Sequence, residues 1–256
     1  MATATARSYR ADRKLERKPH EALWRHLSSF AALTDQELSI IRQTAAVATP
    51  LSAGAELYAE GEVLRKPVAL VAGWACRLRV LTDGRRQIFD FLLPGDLVSH
   101  AAPFSPVAST SALTLTAVKI ASIGCLREMA GDGTRFPGLA HAWAAAQARQ
   151  DAFLLNHVVR LGRQSAYERV SHFLVELSHR LDEIGFATGT FVPMPLTQEM
   201  IADALGLSIV HVNRTLKQLR RERLIELRAG SLRVIKPAAL AAIADFREPA
   251  IPRLLA

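Results

Sequence analysis

The stretch LTQEMIADALGLSIVHVNRTLKQLRRERLI, residues 196 to 225, constrains the fold more than any other part of the chain. Two short apolar-periodic segments flank Gly206. Thr197 and Ser208 stand where N-caps are needed, because their hydroxyls can accept backbone N–H groups that the first turn of a helix leaves unpaired. Leu196 with Ile201, and Leu207 with Val212, have the spacing of hydrophobic staples. Gly206 falls in the turn between them, where a positive φ suits a residue without a side chain. Ala202 leaves room for two helices to cross. Ile201, Leu205, Val212, Leu216 and Leu219 fall on core-facing positions. The pattern is a helix-turn-helix.

The second helix of this pair is cationic. It carries Arg214, Lys217, Arg220, Arg221 and Arg223 against Glu222, in a chain whose net charge is +8. Such a balance favours an anionic partner, and a basic helix presented by a turn fits a DNA major groove. Double-stranded DNA is therefore the expected partner. The DNA-facing set is Ser208, Ile209, Val210, His211, Asn213, Arg214, Lys217 and Arg220. Within it, Ile209, Val210, Asn213 and Arg214 stand nearest to base edges. Arg214 can fork onto guanine O6 and N7, while Asn213 suits adenine or the backbone. Lys217 and Arg220 lie further along, toward phosphates or solvent. The following LIELRAGSLRVIK reads as a hairpin turning at Ala229-Gly230-Ser231, a wing beside the two helices.

The rest of the chain divides by texture. Residues 1–20 read as a basic flexible tail. Residues 21–136 read as a sheet domain with flanking helices. EALWRHLSSFAALTDQELSIIRQTA holds two helical pieces, one burying Leu23, Leu27 and Phe30, the next Leu38 and Ile41, with Thr34 or Asp35 as the cap between them. From about residue 50 to 125, short strand-like runs alternate with Gly and Pro-Gly turns. RLRVLTDGRRQIFDFLLPGD is a hairpin signal around Asp83-Gly84. Many short strands at regular spacing predict a barrel or jelly roll.

Residues 137–163 read as one long helix and a hinge. Leu139, Trp143, Ala146, Phe153, Val158 and Leu161 recur at helical spacing, and the run Ala144 to Ala146 is small enough for close approach. Such a face either packs on the chain's own sheet domain or forms a seam with a second copy; a homodimer is the expectation. Gly162 in LGRQ is expected to break the helix. Residues 164–256 contain a further helix, a short proline-bearing edge strand at FVPMP, and the winged helix-turn-helix. The fold class is α+β: an N-terminal β-roll (jelly roll), a long dimerisation helix and a C-terminal winged domain.

Several functions are disfavoured. No nucleophile elbow, Walker motif, His-Glu-x-x-His or paired-carboxylate cleft is present, so no enzyme is expected. The apolar runs fall short of the ~18 residues that span a bilayer, so no membrane partner is expected. Cys76 and Cys125 form no pair pattern, which fits a reducing cytoplasm. The 8 histidines show no zinc-type spacing, and no metal site is predicted.

LTQEMIADALGLSIVHVNRTLKQLRRERLIEL resembles the winged helix of the Crp–Fnr superfamily of transcriptional regulators, of the catabolite-activator-like kind. ELYAEGE and GWACRLRVLTDGRRQIFDFLLPGDL resemble its effector-binding, cyclic-nucleotide-binding-type roll, and the segments follow in the family's order. The resemblance implies a homodimeric, sequence-specific regulator of transcription on an inverted-repeat operator. RNA polymerase is a candidate further partner.

The departures from the family pattern bear on the effector. Cyclic-nucleotide-binding members carry a Gly-Glu pair after the Pro-Gly-Asp turn and an Arg-Ser/Thr-Ala triplet about ten residues later. Here Ser99 and His100 stand at the pair, and Thr110, Ser111 and Ala112 at the triplet. These four polar residues, Ser99, His100, Thr110 and Ser111, are the candidate effector pocket. None of them is a fixed cation, and a buried phosphate without one is costly. Cyclic AMP is therefore not expected, and no cofactor is assigned. The iron–sulfur branch needs N-terminal cysteines, and none precedes Cys76. Cys76 itself reads as a small buried residue, and His100 as a lone loop histidine rather than a haem ligand. The alternative reading is a sensor or protein-interaction module whose roll takes a non-nucleotide effector or haem. Ile209 and Val210 stand where the cyclic AMP-dependent activators carry Arg and Glu, so their operator does not carry over.

Overall fold

A computed structural model describes residues 21–64, 66–98, 107–185 and 191–250. The basic stretch 1–20, and Ser99 and His100 of the candidate effector pocket, lie outside the described residues.

Helices α1 (Glu21–Ser28) and α2 (Asp35–Ala46) come first. Of the two candidate caps, Thr34 takes the role. Its hydroxyl accepts from the Glu37 backbone, and Glu37 accepts in return from Thr34 N at 2.7 Å. Glu37 is wholly buried, and its other oxygen accepts from Leu139 N at 2.8 Å. It thus also satisfies an orphan N–H in the first turn of α4 (Pro137–Arg163). Gly138 makes this approach possible: a Cβ there would lie 2.6 Å from the Ala32 carbonyl oxygen.

Two antiparallel sheets form the roll. One has the order β1 (Thr49–Leu51), β7 (Val118–Ser122), β3 (Val68–Ala72). The other runs β2 (Glu56–Tyr58), β6 (Ser111–Thr114), β4 (Ala75–Val80), β5 (Arg86–Leu92). Strand side chains alternate between faces. Leu70, Leu92, Ala112 and Val118 fill the space between the sheets. Ala69 and Val71 face the other way, into a core with Leu23, Leu27, Ile41, Leu139 and Trp143 of the covering helices. Helix α3 (Gly124–Gly131) leads from β7 toward α4.

The C-terminal part comprises α5 (Ala166–Glu183), β8 (Val192–Pro193), α6 (Gln198–Leu205), α7 (Ile209–Arg221), β9 (Ile225–Arg228), β10 (Ser231–Val234) and α8 (Pro237–Ala244). Its sheet has the order β8-β10-β9, so the proline-bearing strand lies at an edge, where a missing N–H costs no ladder bond. The outer face of the four-stranded roll sheet, with Trp74, Cys76, Leu78, Ile88 and Phe91, packs into the same core as Phe173, Leu177, Leu205 and Val212.

Two sequence expectations need correction. Gly162 does not break α4, which continues to Arg163; the break is the extended Gln164. A glycine inside a helix costs only ~1 kcal/mol, which the packing of a long helix overrides. Nor is the expected α4 stripe one surface. Leu139, Trp143, Ala146 and Phe153 are buried within the chain, whereas Val158 is 59% exposed. Phe153 lies between the guanidinium groups of Arg149 and Arg180, at 5.4 and 4.9 Å. The helix rotates relative to that spacing, so its first half covers the roll and its second half turns another face outward. That face carries Leu154, Leu155, Val158 and Val159, all exposed.

Candidate nucleic-acid interface

The helix-turn-helix forms as its caps require. Thr197 accepts from Met200 N at 3.1 Å, and Ser208 from His211 N at 3.2 Å. Gly206 ends α6 in the left-handed region at φ +61°, and Leu207 N returns to the Ala202 carbonyl at 3.1 Å. Ile201, Leu205, Val212, Leu216 and Leu219 are buried beneath α6 and α7. The opposite face of α7 is left to solvent.

Ile209, Val210, Asn213, Arg214 and Lys217 share that face and line one shallow concavity. Ile209 is 50% and Val210 66% exposed. Arg214, Lys217 and Arg220 are exposed as well, as are Ser208 and His211. Asn213 is half-buried, and its amide donates to Gln198 Oε1 at 2.9 Å, so α6 fixes how it is presented. The eight expected DNA-facing residues therefore fall on α7 and its cap, but Ser208 is engaged as that cap. At the far end Glu222 accepts from Tyr167 and from Gln218, the latter at 2.9 Å, anchoring α7 to α5. Burial, reinforced by Glu222, pushes the Tyr167 hydroxyl up to about 12.

The roll grips this unit from behind. Arg86 of β5 pairs with Glu199 at 2.9 Å and Asp203 at 2.8 Å, both on α6. Gln87 donates to the Ala204 carbonyl at 3.1 Å. Deeper in, Arg180 of α5 reaches Asp90 at 3.2 Å and Asp96 at 2.8 Å, and Asp90 also takes Arg77 at 2.9 Å. Burial alone would raise the Asp90 carboxyl, but Arg180 and Arg77 outweigh it and hold it below the usual range. Burial wins at Asp96, whose carboxyl is raised despite Arg180. Arg160 of α4 pairs with Glu176 of α5 at 3.0 Å, and its guanidinium meets His172 at 3.2 Å and His157 at 3.3 Å. Burial first, then Arg160, brings both imidazoles down to about 4. No sequence motif marks this ionic cluster, because its members come from β4, β5, the turn after it, α4 and α5, which only the tertiary fold brings together.

Of the candidate effector pocket, Thr110 and Ser111 are described. Both are half-buried, and the Ser111 hydroxyl accepts from Glu60 N at 3.0 Å at the start of β6. Arg79 donates to the neighbouring Ser109 carbonyl at 2.8 Å while pairing with Glu60 at 2.7 Å. Sequence reading missed this cation. Arg77 is committed to Asp90, and Arg85 pairs with Asp83 at 2.8 Å. Cys76 is 1% exposed, and burial pushes its thiol up to about 12, the state of a packing residue rather than a thiolate ligand. His179, Glu183 and Glu248 come close enough to share an ion, a grouping that residue spacing did not reveal, but Glu183 already pairs with Arg149 at 2.8 Å. Among the described residues no helix is long and apolar enough to cross a membrane.

Comparison with known proteins agrees with this architecture. Residues 168–243 match the Crp-like helix-turn-helix domain, and residues 48–124 the cyclic nucleotide-binding domain. The transcriptional activatory protein AadR of Rhodopseudomonas palustris is 33% identical over 192 residues, 73% of this chain and 77% of its own length. The nitrogen fixation regulation protein FixK of Rhizobium meliloti is 33% identical over 195 residues, covering 75% of this chain and 84% of that protein. The structure of FixK2 from Bradyrhizobium japonicum superposes with a TM-score of 0.64 at 29% identity, over 77% of this chain and 97% of that one. By name, the first of these relatives is a transcriptional activator and the second a regulator of nitrogen fixation. With both domains in order, a capped helix-turn-helix and relatives of this similarity, the chain belongs to the Crp–Fnr family of transcriptional regulators.

Proposed function

We propose that the chain acts as a homodimer on an inverted-repeat operator, with one α7 in the major groove of each half-site. The observation that carries this reading is the exposed face of α7, where Arg214 and Lys217 flank Ile209 and Val210. Arg214 is the reader of guanine, and Lys217 and Arg220 meet the backbone. The dimer seam is the outward face of α4. Ala144, Ala148, Asp151, Leu155, Val158 and Gly162 follow one another at alternating four- and three-residue spacing, the period of a coiled-coil seam. Two α7 helices so joined would address half-sites one turn apart, about 34 Å.

The roll acts on DNA binding without cyclic AMP. Its described part offers Thr110 and Ser111 where a phosphate would need a cation, and the nearby Arg79 is taken by Glu60. A ligand shifts a two-state equilibrium only by its differential affinity for the two states. Footprinting on genomic DNA with and without millimolar cyclic AMP tests the reading. Protected inverted repeats of unchanged affinity are expected. Absence of any protected site would refute DNA recognition, and stronger footprints with saturable nucleotide binding would refute the effector assignment.

A further inference from the structure

The α7 face holds an anomaly. Two adjacent β-branched residues, Ile209 and Val210, stand half or more exposed at the head of a helix otherwise lined with cations. They pack on nothing within the described chain that accounts for them. They line the concavity that also contains Arg214 and Lys217, so the pair and Arg214 present one continuous surface. Of the polar residues beside this pair, His211 is exposed, while two others are engaged within the chain. The Ser208 hydroxyl is used as the cap, and the Asn213 amide is held by Gln198.

We infer that Ile209 and Val210 read thymine, through its C5-methyl group, in the half-site whose guanine is taken by Arg214. This inference rests on the DNA-binding reading above and adds the base class. The physical reason is that the major-groove edge offers one apolar group, the thymine methyl; the remaining edge atoms are donors and acceptors. An apolar pair pressed against a donor or acceptor would strip it of water without replacing the bond, a penalty that a methyl group does not incur. Ile209 and Val210 therefore select thymine both by burying its methyl and by rejecting the polar edges of cytosine and guanine.

Uracil isolates this effect, since it removes the methyl and leaves pairing and both grooves' hydrogen-bonding groups intact. The operator is first selected by the full chain from a randomised duplex pool. Each thymine of one half-site is then replaced singly by uracil. Burial of one methyl corresponds to a loss of about fourfold in affinity, and that loss is expected at one or two positions. Val210→Ala should abolish the uracil effect at its own position and leave the others. Val210→Glu should shift preference there toward cytosine, whose N4 amino group a carboxylate can accept. Both residues are exposed, so unchanged melting is expected for these variants. An operator that binds equally well with uracil at every thymine overturns the inference while leaving DNA recognition standing. A pool that yields no preferred sequence overturns the underlying reading of α7 and the inference with it.

Discussion

Arg180 and Asp96 form a buried ion pair at 2.8 Å, 84 residues apart in sequence, that ties α5 of the winged domain to the turn after β5 of the roll. The guanidinium also serves Asp90 and lies over the Phe153 ring. Removing one member of such a pair leaves its partner's charge buried and uncompensated, which costs more than the pair itself contributes. Arg180→Met should therefore destabilise the chain by about 3–5 kcal/mol, read as a lower midpoint in urea unfolding. A midpoint within error of the parent chain would show that water reaches Asp90 and Asp96.

The two faces of α4 separate fold from assembly. Leu155→Lys puts a charge on the outward seam and should give a folded monomer by sedimentation equilibrium, with its melting temperature largely kept. Phe153→Lys puts the charge among Arg149 and Arg180, inside the chain, and should lower the melting temperature instead. If Leu155→Lys remains dimeric at micromolar concentration, another surface holds the dimer.

On the DNA face, Arg214→Ala should cost about 1–3 kcal/mol on the selected operator and relax preference at one base pair. Lys217→Ala should weaken specific and random duplexes alike and reduce the salt dependence of binding by about one counterion. Equal losses on both kinds of DNA for Arg214→Ala would make it a phosphate contact.

Stability should fall on mild acidification. His157 and His172 are held at about 4 in the folded chain, whereas an unfolded histidine titrates near ~6.5. Between those values the unfolded chain takes up protons that the native chain refuses, so this contribution is complete above pH ~6.5 and is lost as the pH falls toward 4. Asp96 and Glu176, both raised by burial, act in the opposite sense, because the native state holds their protons more tightly. His26, buried near Arg149 and Arg180 and also held well below the ordinary imidazole range, acts in the same sense as His157 and His172, and from neutrality downward the three histidines are the groups that begin to titrate first. Melting temperature should drop between pH 7 and 5, and His172→Gln should make that drop shallower. A flat profile would contradict neutral imidazoles beside Arg160.

How much of this was legible in the sequence depends on range. Thr197, Gly206 and Ser208 act on backbone groups within a few residues, so caps and turn could be placed from spacing alone. The Asp83-Gly84 hairpin and the edge strand at Val192–Pro193 were legible for the same reason. The destination of the α4 stripe was not. Periodicity says that a helix has an apolar face, and α4 has two; which one meets the same chain depends on where α1 and the roll come to lie. The ionic cluster of Arg77, Asp90, Asp96, Arg160, Glu176 and Arg180 was invisible, because charged residues read as solvent-facing until the tertiary fold encloses them. Arg79 beside Ser109 escaped notice likewise, since β4 and β6 are neighbours in the sheet and distant in the sequence.

The core shared by the roll's outer sheet face and the winged helices has a consequence for how the chain can be cut or exchanged. Trp74, Ile88 and Phe91 are shielded by side chains from beyond Gln164, and Phe173 and Leu205 by side chains from before it. A fragment ending or starting at that residue carries half of an interior to its surface. Either half made alone is expected to be sticky, and a chimera joining this roll to a relative's DNA-binding domain is expected to fold only when the donor brings matching side chains at that seam. Inheritance of the two halves is therefore linked by packing: a substitution at Phe91 is a substitution in the DNA-binding domain's core.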